Sequence, residues 1–193
     1  MLLQLLNLKT TLLLIISFGL LIVQANAQER RQYTGNNIIL ISLETPKGMI
    51  DFSSDDMQVR YNKETRKIEC RLPVSTLYTL NDTIPANMAY EVLFGSKYPE
   101  LLLLIDAPEE IINAPRLNAE PQLQRTTIEM QGTANETKIP VIFASDKGVI
   151  NFSTSFDLRL QNFRATIPAS YASVLSGRLK FKIRNARWLD NMK

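Results

Sequence analysis

The chain has 193 residues, 22 Lys and Arg against 19 Asp and Glu, no histidine, one cysteine and a formal charge of +3. Its length suits one domain, and 45% hydrophobic with 21% charged residues describes a globular protein. Without histidine there is no Ser-His-Asp or Cys-His pair and little zinc chemistry, and a lone cysteine forms no multi-cysteine metal site. Composition therefore points away from an enzyme and implies no cofactor.

Lys9 precedes the apolar run Leu12–Val23, whose twelve residues fit the core of a secretory signal and fall short of the ~20 needed to span a bilayer. Ala25-Asn26-Ala27 supplies a small-x-small cleavage site. Residues 1–27 thus read as a signal peptide and 28–193 as one exported domain, periplasmic or secreted, with no transmembrane helix in the mature chain. The competing reading is an uncleaved N-terminal anchor. The excess of cations is too small to imply nucleic acid as a partner.

Beyond the leader, period two dominates. Ile38–Leu43, Gly48–Phe52 and Met57–Tyr61 read as short strands, and Asn62 begins a turn. Arg66–Val74 sets Ile68, Cys70, Leu72 and Val74 against Lys67, Glu69 and Arg71, so Cys70 reads as a buried small hydrophobe. Asn81–Tyr98 breaks the pattern. Asp82 or Thr83 can cap, Pro85 suits a first turn and Gly95 a stop, which predicts a helix of two to three turns. Its stripe of Met88, Ala89, Val92 and Leu93 would lie over one end of the sheet.

Leu101–Ile105 is a further strand. Asp106–Gln124, with Pro108, Pro115 and Pro121, reads as a loop, with a strand edge at Ile111-Ile112 as the alternative. Arg125–Gly132 and Ile139–Ala144 read as strands joined by Thr133–Thr137. Ser145–Gly148 reads as a turn that uses its glycine. Val149–Leu160 is the longest alternation, with Ile150, Phe152, Thr154, Phe156, Leu158 and Leu160 on one face; Arg178–Arg184 alternates throughout. Sequential strands with one wet face predict an all-β, antiparallel up-and-down sheet that closes to protect its edges, with one short helix over an end.

The order of these pieces is similar to that of the YceI-like family of exported lipid-binding proteins. The matching residues are Lys97-Tyr98-Pro99, Gly132, Lys138, Pro140-Val141, Gly148, Phe156, Leu160, Phe163, Ile167-Pro168 and Lys180–Ile183, spread over roughly Met57 to Asn185. The chain departs from the family in lacking its histidine, in a shortened loop before the helix and in the proline-rich segment. The resemblance implies a lipocalin-like β-barrel whose interior holds an apolar lipid, such as a polyisoprenoid, without chemistry. The inward candidates for that ligand are Ile68, Leu72, Leu103, Ile128, Met130, Val141, Phe143, Phe152, Phe156, Leu158, Phe181 and Ile183. A barrel of about eight strands is either just filled by its side chains or just wide enough for one small ligand. The alternative is therefore a filled barrel acting as a structural or interaction module of the cell envelope.

Two charged features have plain readings. Arg178, Lys180, Lys182 and Arg184, with Arg187 nearby, share one strand face; a solvated outer wall is the simpler account and anionic head groups the other. Asp55-Asp56 and Glu109-Glu110 fall in predicted turns, where neighbouring carboxylates diverge and lack a companion for acid–base work.

Overall fold

A computed structural model describes residues 33–112, 120–146 and 149–188. The expected leader, residues 1–27, and the turn glycine Gly148 lie outside the described residues. From Thr34 onward the described residues form one compact unit.

Eight strands close into a barrel in which every neighbour pair is sequential and antiparallel. They are β1 (Thr34–Thr45), β2 (Gly48–Asn62), β3 (Lys67–Pro73), β4 (Glu100–Asp106), β5 (Gln122–Met130), β6 (Thr133–Asp146), β7 (Val149–Arg159) and β8 (Arg178–Arg187). Among the described residues two short α-helices, α1 (Met88–Val92) and α2 (Glu109–Ile112), and two 3-10 turns, Val74–Thr76 and Leu160–Phe163, interrupt them. The expected architecture is the observed one. β8 returns to β1, with Ile39 opposite Ile183 and Leu43 opposite Leu179, so neither strand is left with a bare edge there.

Several boundaries differ from the alternation-based reading. Gly48–Phe52 and Met57–Tyr61 are one strand: Ser53 and Ser54 pair in register with Leu40 and Ile39, and Asp55-Asp56 forms a bulge and not a turn. Ser54 is fully buried there, sharing a 2.6 Å hydrogen bond with Thr76 and accepting the Asp56 N–H. Thr133–Thr137 is strand, and the turn before it is Gln131-Gly132 alone. Ile111-Ile112 is neither loop nor strand edge but part of α2, which Glu109 and Glu110 open.

The helix α1 is shorter than predicted. Residues 81–87 are spent on turns, with Asn81 Oδ1 accepting from Thr83 N–H and Oγ1, and the helix starts only at Met88. Its stripe is nevertheless the expected one, since Met88, Ala89, Val92 and Leu93 are all buried. The left-handed residue that ends it is Phe94 (φ 53°), followed by a Gly95 N–H to Tyr90 C=O bond of 2.8 Å. Gly95 is required for a different reason: a Cβ there would sit 2.3 Å from the Tyr90 ring.

Cys70 is fully buried on β3, and burial pushes its thiol pKa far above the usual range. The unfolded thiol ionises near about pH 8.5, the folded one does not, so the native state binds the extra proton and stability falls as pH rises. The contribution is intact below about pH 8 and is lost above it, by up to about 1.4 kcal/mol per pH unit. Urea melts between pH 7 and 10 check this: Cys70→Ala is expected to flatten the alkaline slope, and a thiol reagent to label native protein only at the rate of unfolding.

Candidate ligand-binding site

The inner wall is apolar because each strand presents alternate residues to the axis. All of the candidates named from the sequence join one buried core: Ile68 and Leu72 from β3, Leu103 from β4, Ile128 and Met130 from β5, Val141 and Phe143 from β6, Phe152, Phe156 and Leu158 from β7, and Phe181 and Ile183 from β8. Ile39, Ile41, Leu43, Phe52, Met57 and Val59 of β1 and β2 complete the wall. These were missed because the unbroken apolar run from Ile38 to Ile41 blurs which parity faces inward, and the β2 bulge reverses it.

The two ends are closed differently. At one, α1 and the segment after β7 meet: Tyr171 donates to Glu91 Oε2 at 2.9 Å, and Gln131 Nε2 donates to Val92 C=O at 2.9 Å. The Tyr171 hydrogen bond to Glu91 holds its phenol above the usual pKa. At the other end Trp188 is 2% exposed and packs against Tyr61 and Phe152, both with ring centroids 6.3 Å away. Tyr61 also donates to Ala107 C=O, and Asn37 accepts the Arg187 N–H while donating to its C=O. That end is plugged.

Between the ends the wall residues form one buried cluster. Ile68, Leu72, Leu103, Ile128, Val141, Phe152 and Phe181 have no accessible surface, and Phe156 stacks on Phe181 at 5.3 Å with an interplanar angle of 3°. Among the candidates, Phe156 at 9% and Leu158 at 8% keep the most exposure.

Both lie beside an unpaired stretch. The β6–β7 ladder runs from Asp146 opposite Val149 to Val141 opposite Thr154 and goes no further. β6 continues along β5 to Thr133, while β7 continues along β8 to Arg159. Pro140 has no N–H to extend the ladder, and its carbonyl instead accepts the Thr154 hydroxyl at 2.6 Å. Opposite, β8 carries a bulge between its partners Phe152 and Thr154, where Asn185 (φ 47°) donates its N–H to Ser153 Oγ at 2.9 Å. A bulge bends its strand and sharpens the local twist, and this one sits on β8 opposite Ser153, next to the Val141–Thr154 pair at which the β6–β7 ladder ends. The seam has half-buried Asn135 and Thr137 on one lip and Phe156 and Leu158 on the other. Leu160 and Phe163, buried in the turn after β7, close it below, with Asn135 bonded to Asn162 C=O.

The sequence matches no protein-family profile and no curated protein. Among solved structures, the barrel superposes on a polyisoprenoid-binding domain from Saccharophagus degradans implicated in plant cell wall breakdown, with a TM-score of 0.65 at 8% identity, covering 78% of this chain and 93% of that one. A mutant CJ YCEI protein with a monobromobimane guest gives 0.50 at 14% identity over 70% and 81%. The fold is that of the YceI-like proteins. Burkholderia cenocepacia BcnA shares it, with a TM-score of 0.56 at 14% identity over 76% and 92%.

Within this YceI-like barrel the residues behind the resemblance are architectural. Lys97 and Tyr98 both donate N–H to Phe94 C=O, Pro99 C=O accepts from Val74, and the Lys97 ammonium lies 5.2 Å from the Tyr98 ring centroid. That ring covers Gly132 (φ 72°), where a Cβ would meet it at 2.6 Å. Gln131 and Gly132 both have positive φ, as a tight two-residue hairpin demands. Gly132→Ala is expected to cost about 1–3 kcal/mol by urea unfolding. In a Tyr98→Ala background the cost should shrink toward the backbone part alone, about 1 kcal/mol.

Proposed function

We propose that the barrel binds one apolar, lipid-like molecule and carries it chemically unchanged, with entry between β6 and β7. The observation that carries this reading is the seam: in an otherwise sealed apolar wall, Phe156 and Leu158 retain exposure where the ladder stops. Such a ligand needs a dry continuous wall and no reactive group, since burial contributes about 25 cal/mol per Å². The name of the Saccharophagus domain supports an isoprenoid as the ligand class. Among the described residues no group of His, Cys, Asp and Glu could hold a metal, and none of their helices is long and apolar enough to cross a membrane. The Ala25-Asn26-Ala27 site supports export of residues 28–193 after cleavage.

A second reading is favoured by the zero exposure of Phe52, Phe152 and Phe181. A barrel filled by its own side chains serves as a rigid module of the cell envelope and holds no cargo.

The two part on one experiment. Protein from its native host is extracted into organic solvent for mass spectrometry, and the emptied protein is mixed with a fluorescent isoprenoid. The carrier reading expects extractable lipid and saturable uptake, with uptake weakened about tenfold or more by Leu158→Arg and unchanged by Leu123→Arg on the outer wall, because a charge at the apolar lip is costly to bury. Neither lipid nor uptake leaves the filled module.

A further inference from the structure

The outer face of β8 is not uniformly solvated scenery. At one end Arg178 is neutralised, donating to Glu44 Oε1 at 3.0 Å and Asp157 Oδ2 at 2.8 Å. The Ser176 hydrogen bond and this guanidinium hold Glu44 below the usual carboxylate range. Further along the strand the described ion pairs of β8 end with Arg178. A surface groove of about 910 Å³ runs across β1, β8, β7 and β6, and Lys182, Arg184 and Arg187 line it together with Ile38, Leu40 and Val149. Among the residues whose side chains are described, no acidic one lines it, and Asp55 and Asp56, in the β2 bulge, stand outside the lining. Ile38 is 56% exposed and Val149 45%, two of the larger apolar side chains that the fold leaves in water.

We propose that this groove docks the barrel on an anionic phospholipid bilayer. Cations with no carboxylate partner among the described residues match head-group phosphates, each contributing near an anionic surface roughly a factor of five in affinity. Exposed aliphatic side chains between them match the upper acyl region, the composition of an interfacial surface. An acidic protein would satisfy the cations but leave Ile38 and Val149 without a reason to be exposed. Docking stands apart from what the interior holds, so either reading can fail alone.

The test puts an environment-sensitive fluorophore on Ile38→Cys and, as control, on Leu123→Cys, which is 68% exposed on the β5 outer wall; buried Cys70 stays unlabelled. The full chain is titrated with phosphatidylglycerol-containing and with pure phosphatidylcholine vesicles. The expected result is a blue shift at position 38 and none at 123, on the anionic vesicles alone, weakening as salt rises. Lys182→Gln, Arg184→Gln and Arg187→Gln together should weaken it roughly a hundredfold, while Lys47→Gln, Arg125→Gln and Lys138→Gln leave it intact. Equal shifts at both positions, a shift on neutral vesicles, no shift, or a shift insensitive to salt would each overturn the proposal. The salt titration uses no charge variant, so a misfolded triple substitution does not shield the idea.

Discussion

Phe181→Ala is expected to destabilise the barrel by about 3–5 kcal/mol, read as a shift of the urea midpoint. The side chain has no accessible surface and stacks on Phe156, so truncation loses the transfer free energy of the ring, the stacking contact and the packing around the space left behind. Against a typical total of about 5–15 kcal/mol this is a large share. Phe181→Leu keeps most of the volume and should recover more than half of the loss. The same variant separates the two functional readings. The hollow lies beside the β6–β7 seam, and a ligand that enters there stabilises the native state by RT ln(1 + [L]/Kd). The carrier reading expects an isoprenoid alcohol to raise the midpoint of Phe181→Ala more than that of the parent protein. The filled module expects no response from either.

Trp188→Ala should cost about 3 kcal/mol and open the opposite end. Trp188 is the sole tryptophan, is 2% exposed, and is the plug held between Tyr61 and Phe152. Its emission is therefore a local probe: blue-shifted in the native state and red-shifted on unfolding. Trp188→Phe should keep the plug and most of the stability, because an aromatic face remains for both neighbours. If the ligand enters through the seam, uptake survives Trp188→Ala in conditions where the protein stays folded. Faster uptake by that variant would move the entrance to the tryptophan end.

Most of the barrel was legible because alternation on a closed sheet is a direct consequence of a pleat with one dry face. Arg178–Arg184 and Val149–Leu160 could not be read otherwise, and their inward residues are those observed. The errors have a common physical origin in hydrogen bonding that composition hides. Ser53–Asp56 looks like a turn, yet Ser54 is buried because Thr76, from a distant loop, shares a hydrogen bond with its hydroxyl. Thr133–Thr137 looks like a linker because Thr133, Asn135 and Thr137 are polar, yet it pairs with Thr126–Met130 of β5 throughout. Burial of the candidates was readable, whereas which of them border the seam was not. That depends on where the β6–β7 ladder stops, at Val141 opposite Thr154, a long-range pairing that local alternation does not encode.

The pairing of β1 with β8 has a bearing on biosynthesis. The first strand to leave the ribosome finds its second partner only when the last one has been made. Loop-closure entropy grows slowly with length, so the delay costs little equilibrium stability. Folding rate is what suffers, since this contact is among the most distant in sequence. During that interval both flanks of the growing sheet are templates for intermolecular pairing.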